Sequence, residues 1–542
     1  MGTYLNPGNS GFSEIINSEY VDKTGLIRLI NSTIGTVKKL TCISRPRRFG
    51  KSYTAKMLCA YYDQSCDSHT LFDHYAIAAD DSYEKYLNQY HVISLDASSF
   101  LSDAKKNLLP LRDVPAAIDR AVLEETVSLF PDLRKYRKLN DCLLALVRST
   151  GRKIVFIIDE WDSVIREAKN DETAQESYLN LLRGWFKNNN FTPEAVAAAC
   201  MTGILPIKKD SSQSAISDFE EYSMLDPRRF AGYAGFTEEE VRTLCEKKSG
   251  NFKSIKKWYD GYTVGKQHSV YNPYSVMQAV DTGRYRSYWK KTSAAESLMT
   301  YIDMDLDGLQ EDIARLIAGE SVIVNTDSFQ NDVETFTDKY DVLTLLIHLG
   351  YLTYEEVSDF YGEEQDEELT GFARIPNEEI RTEFRQILRK AKHRCLLTLV
   401  KKSDQLLRDT LSGNEEAVAK AIQETHDSEY APAFYNNEQS LRYVVKLAYL
   451  SCIDQYAKVE ELPSGHGIAD VVFLPKRRSP LPAMIIELKW NKSSEGTLRQ
   501  IRDNGYGKVL ENYGGEVILA GINYSEKTKK HTCRIEFAQK KN

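Results

Sequence analysis

The chain has 542 residues, a net charge of −8 and nine cysteines. Such a length exceeds a single core and predicts two to four domains, and the composition is that of an ordinary soluble globular protein without a low-complexity tract. It excludes a protein that is basic throughout and a helical membrane span, which needs an apolar run of roughly 18 residues; a local basic groove for nucleic acid stays open.

The scattered cysteines form no CxxC pair, so they read as the reduced thiols of a cytosol, and zinc is not expected. The opening Met1-Gly2-Thr3-Tyr4-Leu5-Asn6 carries neither a signal region nor a myristoylation pattern, and a cytoplasmic location is expected. Residues 1 to about 40 form a lead-in, in which Tyr20-Val21-Asp22-Lys23-Thr24 precedes a short amphipathic helix, Gly25 to Ser32. An apolar strand, Leu40 to Ile43, then runs through Arg45-Pro46-Arg47-Arg48-Phe49 into Gly50-Lys51-Ser52 and a helical run from Tyr53 to about Tyr62. This is the layout of a phosphate-binding loop, with backbone N–H groups at a helix start facing phosphate oxygens. Lys51 would reach the β- and γ-phosphates of ATP, and the Ser52 hydroxyl would ligate Mg²⁺. Arg45 stands where the usual pattern has its first Gly, and a bare Gly-Lys-Ser also fits an ordinary basic helix start. Gly50, Lys51, Ser52 and Tyr53, with Arg47 and Arg48, are the candidate nucleotide contacts.

His91 to Asp96 reads as a second strand, and helical patterns follow from Val114 to Leu129 and from Tyr136 to Ser149. The run Lys153-Ile154-Val155-Phe156-Ile157-Ile158 ends in Asp159-Glu160. Near-continuous apolar runs are buried parallel strands, and acids at their carboxyl ends sit where open α/β sheets bind ligands. Asp159 would hold Mg²⁺ and Glu160 would polarise the attacking water; a core strand capped by solvated acids is the plainer reading. The two motifs in this order point to ATP binding. A helix from Thr173 to about Asn188 leads to a third strand, Ala195 to Met201. Thr202 follows it, placed either to sense the γ-phosphate or to cap a loop. Strands alternating with helices predict a doubly wound parallel sheet, and Asp210 to Asp218 reads as a polar loop near the nucleotide.

Thr237 and Glu240 form a capping box opening a helix to Gly250. The aromatic turns Trp258 to Tyr262 and Val270 to Ser275 fit either a base-stacking platform or the packing of two domains. Residues 280 to about 430 read as mostly helical. Within them a helix from Tyr340 to Leu349, two short strands and a tip with eight acids, Glu355 to Glu368, suggest a winged helix acting as a coupling module. The expected domains are 1–280, 281–425 and 426–542.

Near the end, a helix containing Glu438 precedes two strands, Ile468 to Leu474 and Ala483 to Trp490, paired as a hairpin. Alternation puts Glu487 and Lys489 on one face and lets Asp470 share it. Charges among apolar neighbours must be paired or hold a metal. Asp470 and Glu487 would bind Mg²⁺, whose water would attack a phosphodiester, with Lys489 orienting that water or offsetting charge; a plain charged ladder on an edge hairpin is the alternative. Gln500, Arg499 and Tyr506 on the next helix either contact the phosphate or metal water or form a solvated face. His466 reads as a turn residue.

These residues carry a resemblance. Tyr20 to Thr24, Arg45 to Ser52, Asp159-Glu160-Trp161-Asp162, Trp258 to Tyr262, Tyr271-Asn272-Pro273 and Ile375 to Glu379 resemble the AAA-ATPase-like family abundant in gut and anaerobic bacteria, in which Arg45 is the norm. The tail resembles the PD-(D/E)XK nuclease superfamily. Asp470 matches its first acid, Glu487-Leu488-Lys489 its Glu-x-Lys, Glu438 the acid of its first helix and so a further metal ligand, and Gln500 and Tyr506 the Gln-Ile and Tyr of the helix that follows. The resemblance implies an α/β chain: a P-loop ATPase sheet, a helical or winged-helix middle and a restriction-endonuclease-like end. It implies ATP and Mg²⁺, with Mn²⁺ as a substitute at the nuclease site, and nucleic acid, DNA first, as partner. The expected function is an ATP-gated DNA nuclease, with defence against foreign DNA as a purpose. The alternative is a signalling ATPase switch whose nuclease-like domain only binds nucleic acid or a partner protein, and a third reading is a scaffold with an inert Glu160. Arg47 or Arg48 as a charge-stabilising finger within or between subunits leaves a homo-oligomer open.

Overall fold

The computed structural model describes residues 1–168, 171–207, 216–289, 308–327, 329, 336, 338–356, 370–390, 394–429, 441, 444–445, 448–449, 456–464, 467–475, 481–491 and 516–538. They divide into two compact units, Met1–Asp307 with Ser321–Glu383, and Gly308–Glu320 with Phe384–Asn542.

The first unit is built on five parallel strands: β1 (Leu40–Ser44), β2 (His91–Asp96), β3 (Ile154–Asp159), β4 (Val196–Gly203) and β5 (Glu220–Tyr222), ordered β2-β3-β4-β1-β5. Every residue of β3 is buried, because successive side chains feed opposite faces and both faces are covered. Ile154, Phe156 and Ile158 join the core that also holds Trp185 and Leu146, whereas Val155 and Ile157 join the core against the helix Lys51–Tyr62. Each such buried side chain contributes roughly 1.5–3 kcal/mol. The result is the doubly wound parallel sheet that the alternation predicts, with β4 central between β3 and β1, so that the carboxyl ends of β1 and β3 lie at the same edge of the sheet, one strand apart.

A second element of this unit packs on the first. The strands β6 (Tyr262–Val264) and β7 (Gln267–Val270) form a small antiparallel pair, and β8 (Val322–Asn325), β9 (Thr353–Glu356) and β10 (Thr370–Arg374) an antiparallel sheet ordered β8-β10-β9. Its helix, Lys339–Leu349, is buried on almost all sides. The aromatic turn at Trp258 to Tyr262 is spent on this packing: Tyr259 and Tyr262 are fully buried, the Tyr262 hydroxyl donates to the Gly350 carbonyl at 2.8 Å, and the Asn377 amide donates to the Tyr259 carbonyl at 3.2 Å. Packing, rather than base stacking, accounts for these rings.

The second unit holds a mixed sheet, β11 (Tyr456–Ser464), β12 (Gly467–Pro475), β13 (Ala483–Trp490), β14 (Val517–Ser525) and β15 (Lys530–Ala538), in that order. Only β13 and β14 pair in parallel among these strands. Met484, Ile486 and Leu488 share a core with Leu406, Val418 and Ile422 of the helices Arg394–Leu411 and Glu415–Glu429. Alternation therefore turns Ile485, Glu487 and Lys489 to the opposite face of the central strand.

Candidate functional site

The loop after β1 turns on two left-handed residues, Arg48 at φ 70° and Gly50 at φ 82°, and a Cβ added at Gly50 would meet nothing within 4 Å. Glycine at that position holds the strained conformation at no steric cost and leaves open space over the helix start. Lys51 opens the helix Lys51–Tyr62, and its Nζ donates to the carbonyls of Arg45 and Pro46, both at 3.0 Å. Nζ also lies 3.7 Å from Glu160 Oε1. Burial pulls the Lys51 ammonium below its ordinary pKa, against the opposing attraction of Glu160. Ser52 and Tyr53 are exposed to a cavity of about 940 Å³, which Arg47, Arg48, Gly50, Lys51, Asp159 and Glu160 also line.

The three arginines of the loop do different things. Arg45 is 2% exposed and never reaches the cavity; its Nη1 donates to the carbonyls of Ser44 and Tyr222 at 2.8 and 2.9 Å, tying β1 to β5. Its Nε and Nη2 have no protein partner, and burial drops the guanidinium to about 9. Arg47 is the half-buried cation of the cavity wall, lowered first by burial and then by neighbouring Arg166. Arg48 lies over the Tyr274 ring at 4.6 Å and donates to the Tyr288 carbonyl. It is thus held both to the aromatic turn at Val270 to Ser275 and to Tyr288, and the Tyr288 N–H, at 2.7 Å, and the Ser275 hydroxyl, at 2.9 Å, donate to buried Glu379.

Opposite the loop stands the end of β3. Asp159 Oδ1 accepts from the Glu160 N–H at 3.0 Å and from the Thr202 hydroxyl. Thr202 is 1% exposed, so it stands behind Asp159 rather than in the cavity. Glu160 takes φ 52°, and its Oε2 accepts from Arg166 Nη2 at 2.6 Å. The Ser52 hydroxyl and the Asp159 carboxylate are hard oxygen donors lining the same cavity, the chemistry that suits Mg²⁺.

In the second unit, Lys489 Nζ donates to Glu487 Oε1 at 3.0 Å, and both side chains are buried, at 7% and 1% exposure. Glu487 is a carboxylate of the kind that holds a divalent ion. The pairing of β12 with β13 ends at Val471↔Ile486, one residue short of Asp470 on one strand and of Glu487 on the other. Nothing further is described of the Asp470 side chain, and Glu438, Gln500, Arg499, Tyr506 and His466 lie outside the described residues, as does 208–215, most of the expected loop near the nucleotide. Among the described residues no group of three or more His, Cys, Asp or Glu converges on a metal position.

Two family models match the chain. Residues 7–212 match one described as a predicted AAA-ATPase, and residues 436–533 match the PD-(D/E)XK nuclease superfamily. The chain joins an AAA-ATPase-like domain to a PD-(D/E)XK nuclease-superfamily domain. Solved structures similar to it include two of low identity. The ORC2 protein of Aeropyrum pernix, in ADPNP–ADP complexes, aligns at 13% identity over 69% of this chain and 97% of its own, with a TM-score of 0.33. C. elegans PCH-2 aligns at 10% identity over 50% of this chain and 57% of its own, with a TM-score of 0.21. None of the curated proteins matches. Among the described residues no helix is long and apolar enough to cross a membrane.

Sequence reasoning gave no role to two charged residues of the AAA-ATPase-like domain: Asp162, quoted only within the acidic motif, and Arg166, not singled out at all. Arg166 Nε donates to Asp162 Oδ2 at 2.9 Å, and Asp162 accepts the N–H groups of Ile204 and Leu205 at 3.1 and 2.9 Å. Their i, i+4 spacing just past the acidic strand end was the signal available.

Proposed function

We propose that the chain hydrolyses ATP in the cavity of its AAA-ATPase-like domain and that its nuclease-like domain cleaves phosphodiester bonds of nucleic acid, DNA first, under control of the nucleotide. The observation that carries the reading is the convergence of Lys51, Ser52, Asp159 and Glu160 on one cavity of about 940 Å³, a size that suits a nucleotide. Lys51 exchanges its carbonyl partners for the β- and γ-phosphate oxygens, and the N–H groups of the first helical turn add to it. Glu160 orients a water and takes its proton as the water oxygen bonds to the terminal phosphorus and the bond to the β,γ-bridging oxygen breaks, giving ADP and phosphate. Ser52 with Asp159, and Glu487 with Asp470, are the residues that would hold the metal. Bound at those places, Mg²⁺ or Mn²⁺ would supply positive charge beside the phosphate under attack. The cutting half is supported by the buried Glu487–Lys489 pair on the central strand β13, where Lys489 offsets negative charge at the scissile phosphate.

The test is a gel assay of the full chain on supercoiled plasmid, single-stranded DNA and RNA with Mg²⁺ or Mn²⁺, with and without ATP. Cutting is expected to vanish in Asp470→Ala and Lys489→Ala, and to respond to ATP only while Lys51 is present. ATP turnover without cutting of any substrate would replace this reading with that of a signalling switch.

A further inference from the structure

Arg166 divides its guanidinium between two carboxylates that differ in how firmly they are held. Its Nε is on Asp162 at 2.9 Å, with Nη2 a longer 3.5 Å from the same carboxylate, and Asp162 is 1% exposed and fixed by two backbone N–H groups from the exit of β4. Its Nη2 end is on Glu160, which lines the cavity and has its other oxygen 3.7 Å from Lys51 Nζ. One arm of the fork is anchored, and the other reaches a carboxylate that faces the ligand. Arg166 itself lines the same cavity as Lys51, Ser52 and Arg47.

A guanidinium fork takes phosphate oxygens as readily as carboxylate oxygens. A triphosphate whose terminal group lies near Lys51 therefore competes with Glu160 for both cations. Glu160 also sits at φ 52°, a left-handed conformation that strains a non-glycine residue and points to a functional constraint on its placement. We propose that Arg166 is a positioning residue that reads the terminal phosphate: the Glu160 carboxylate and that phosphate compete for its Nη2, so triphosphate binding frees Glu160 to meet its water. Asp162 keeps the arginine in place through the exchange. The proposal rests on the reading of this cavity as an ATP site.

The experiment compares binding of a non-hydrolysable ATP analogue and of ADP, each followed by calorimetry on the full chain. The proteins are wild type, Arg166→Gln, Arg166→Lys, Glu160→Gln and the Arg166→Gln/Glu160→Gln double variant. Loss of one charge-assisted contact is expected to weaken the triphosphate analogue about tenfold in Arg166→Gln while ADP stays within about twofold. Glu160→Gln, which removes the competing charge, is expected to tighten the triphosphate analogue several-fold, and by clearly less in the absence of Arg166, where only Lys51 is left to be released. Arg166→Lys keeps a charge for Asp162 and is expected to hold ADP normally with an intermediate triphosphate preference. Equal losses for ADP and the triphosphate analogue in Arg166→Gln would overturn the proposal, as would tightening by Glu160→Gln that is undiminished when Arg166 is also replaced. Should Arg166→Gln fail to fold, Glu160→Gln and Arg166→Lys still decide, because a wild-type triphosphate preference in both overturns it. A wild-type chain that binds neither nucleotide would overturn the ATP reading itself.

Discussion

Thr202 has no charge and no surface, yet it governs how the Asp159 carboxylate is presented. Its hydroxyl and the Glu160 N–H both donate to the same oxygen of Asp159, which fixes the rotation of that carboxylate against the cavity wall. Hydrogen bonds to a charged group are worth roughly 1.5–3 kcal/mol, and here that energy goes into orientation. Thr202→Val keeps the shape and removes the donor. Steady-state phosphate release is expected to fall about tenfold or more, in line with one such bond. Nucleotide affinity is expected to stay near wild type, because Thr202 stands behind Asp159. An affinity loss matching the rate loss would instead make Thr202 a direct nucleotide contact.

Among the elements, those that sequence made legible are the ones whose burial is complete. β3 and β4 read as strands because sheets covered on both faces demand apolar runs, and the helix at Lys51 reads from its glycine and its strand-to-helix setting. β5 is only Glu220–Tyr222, an edge of two acids and a tyrosine, and carries no such signal. β14 and β15 did carry one: Val517–Ser525 is a buried run, and Lys530–Ala538 alternates exposed and buried over most of its length. Glu487 and Lys489 were legible as a pair because period-two alternation alone puts them together, whereas Arg166 acts through a fold-made contact. The meeting of two sequence motifs was equally invisible: Gly261 of the aromatic turn lies at φ 126°, and a Cβ there would come 1.9 Å from the backbone oxygen of Pro376. Backbone cannot retreat as a side-chain end can. Gly261→Ala is expected to cost the first unit more than about 3 kcal/mol, the sum of conformational strain and a backbone clash. Gly232→Ala, where a Cβ meets nothing within 4 Å, is the control expected to stay within about 0.5 kcal/mol of wild type. Chemical denaturation of both variants checks the contrast.

At the scale of the whole molecule each unit has its own core, and each contains a histidine that burial holds neutral. In the first unit His348 is 2% exposed, its Nδ1 without a protein partner, and burial, then the charge of Arg45, drops it to about 3. In the second, burial, then His426, drops His531 to about 3. A base whose folded pKa lies below its unfolded value of about 6.5 contributes stability that is complete above pH 6.5 and is lost as the pH falls toward the folded value. Acid therefore acts on both units through groups that are not carboxylates. His348→Leu removes one of them while filling the same apolar site. Relative to wild type, the variant's first unit is expected to gain about 2 kcal/mol more at pH 5 than at pH 8, since the unfolded imidazole is protonated across 1.5 pH units in that window. Denaturation followed at both pH values measures this difference, and comparing the two pH values cancels the change in hydrophobicity. The transition of the second unit, whose core shares none of these residues, is expected not to move. A gain that is the same at both pH values would mean that His348 titrates alike in the folded and unfolded chain, and that its burial beside Arg45 has no bearing on acid stability.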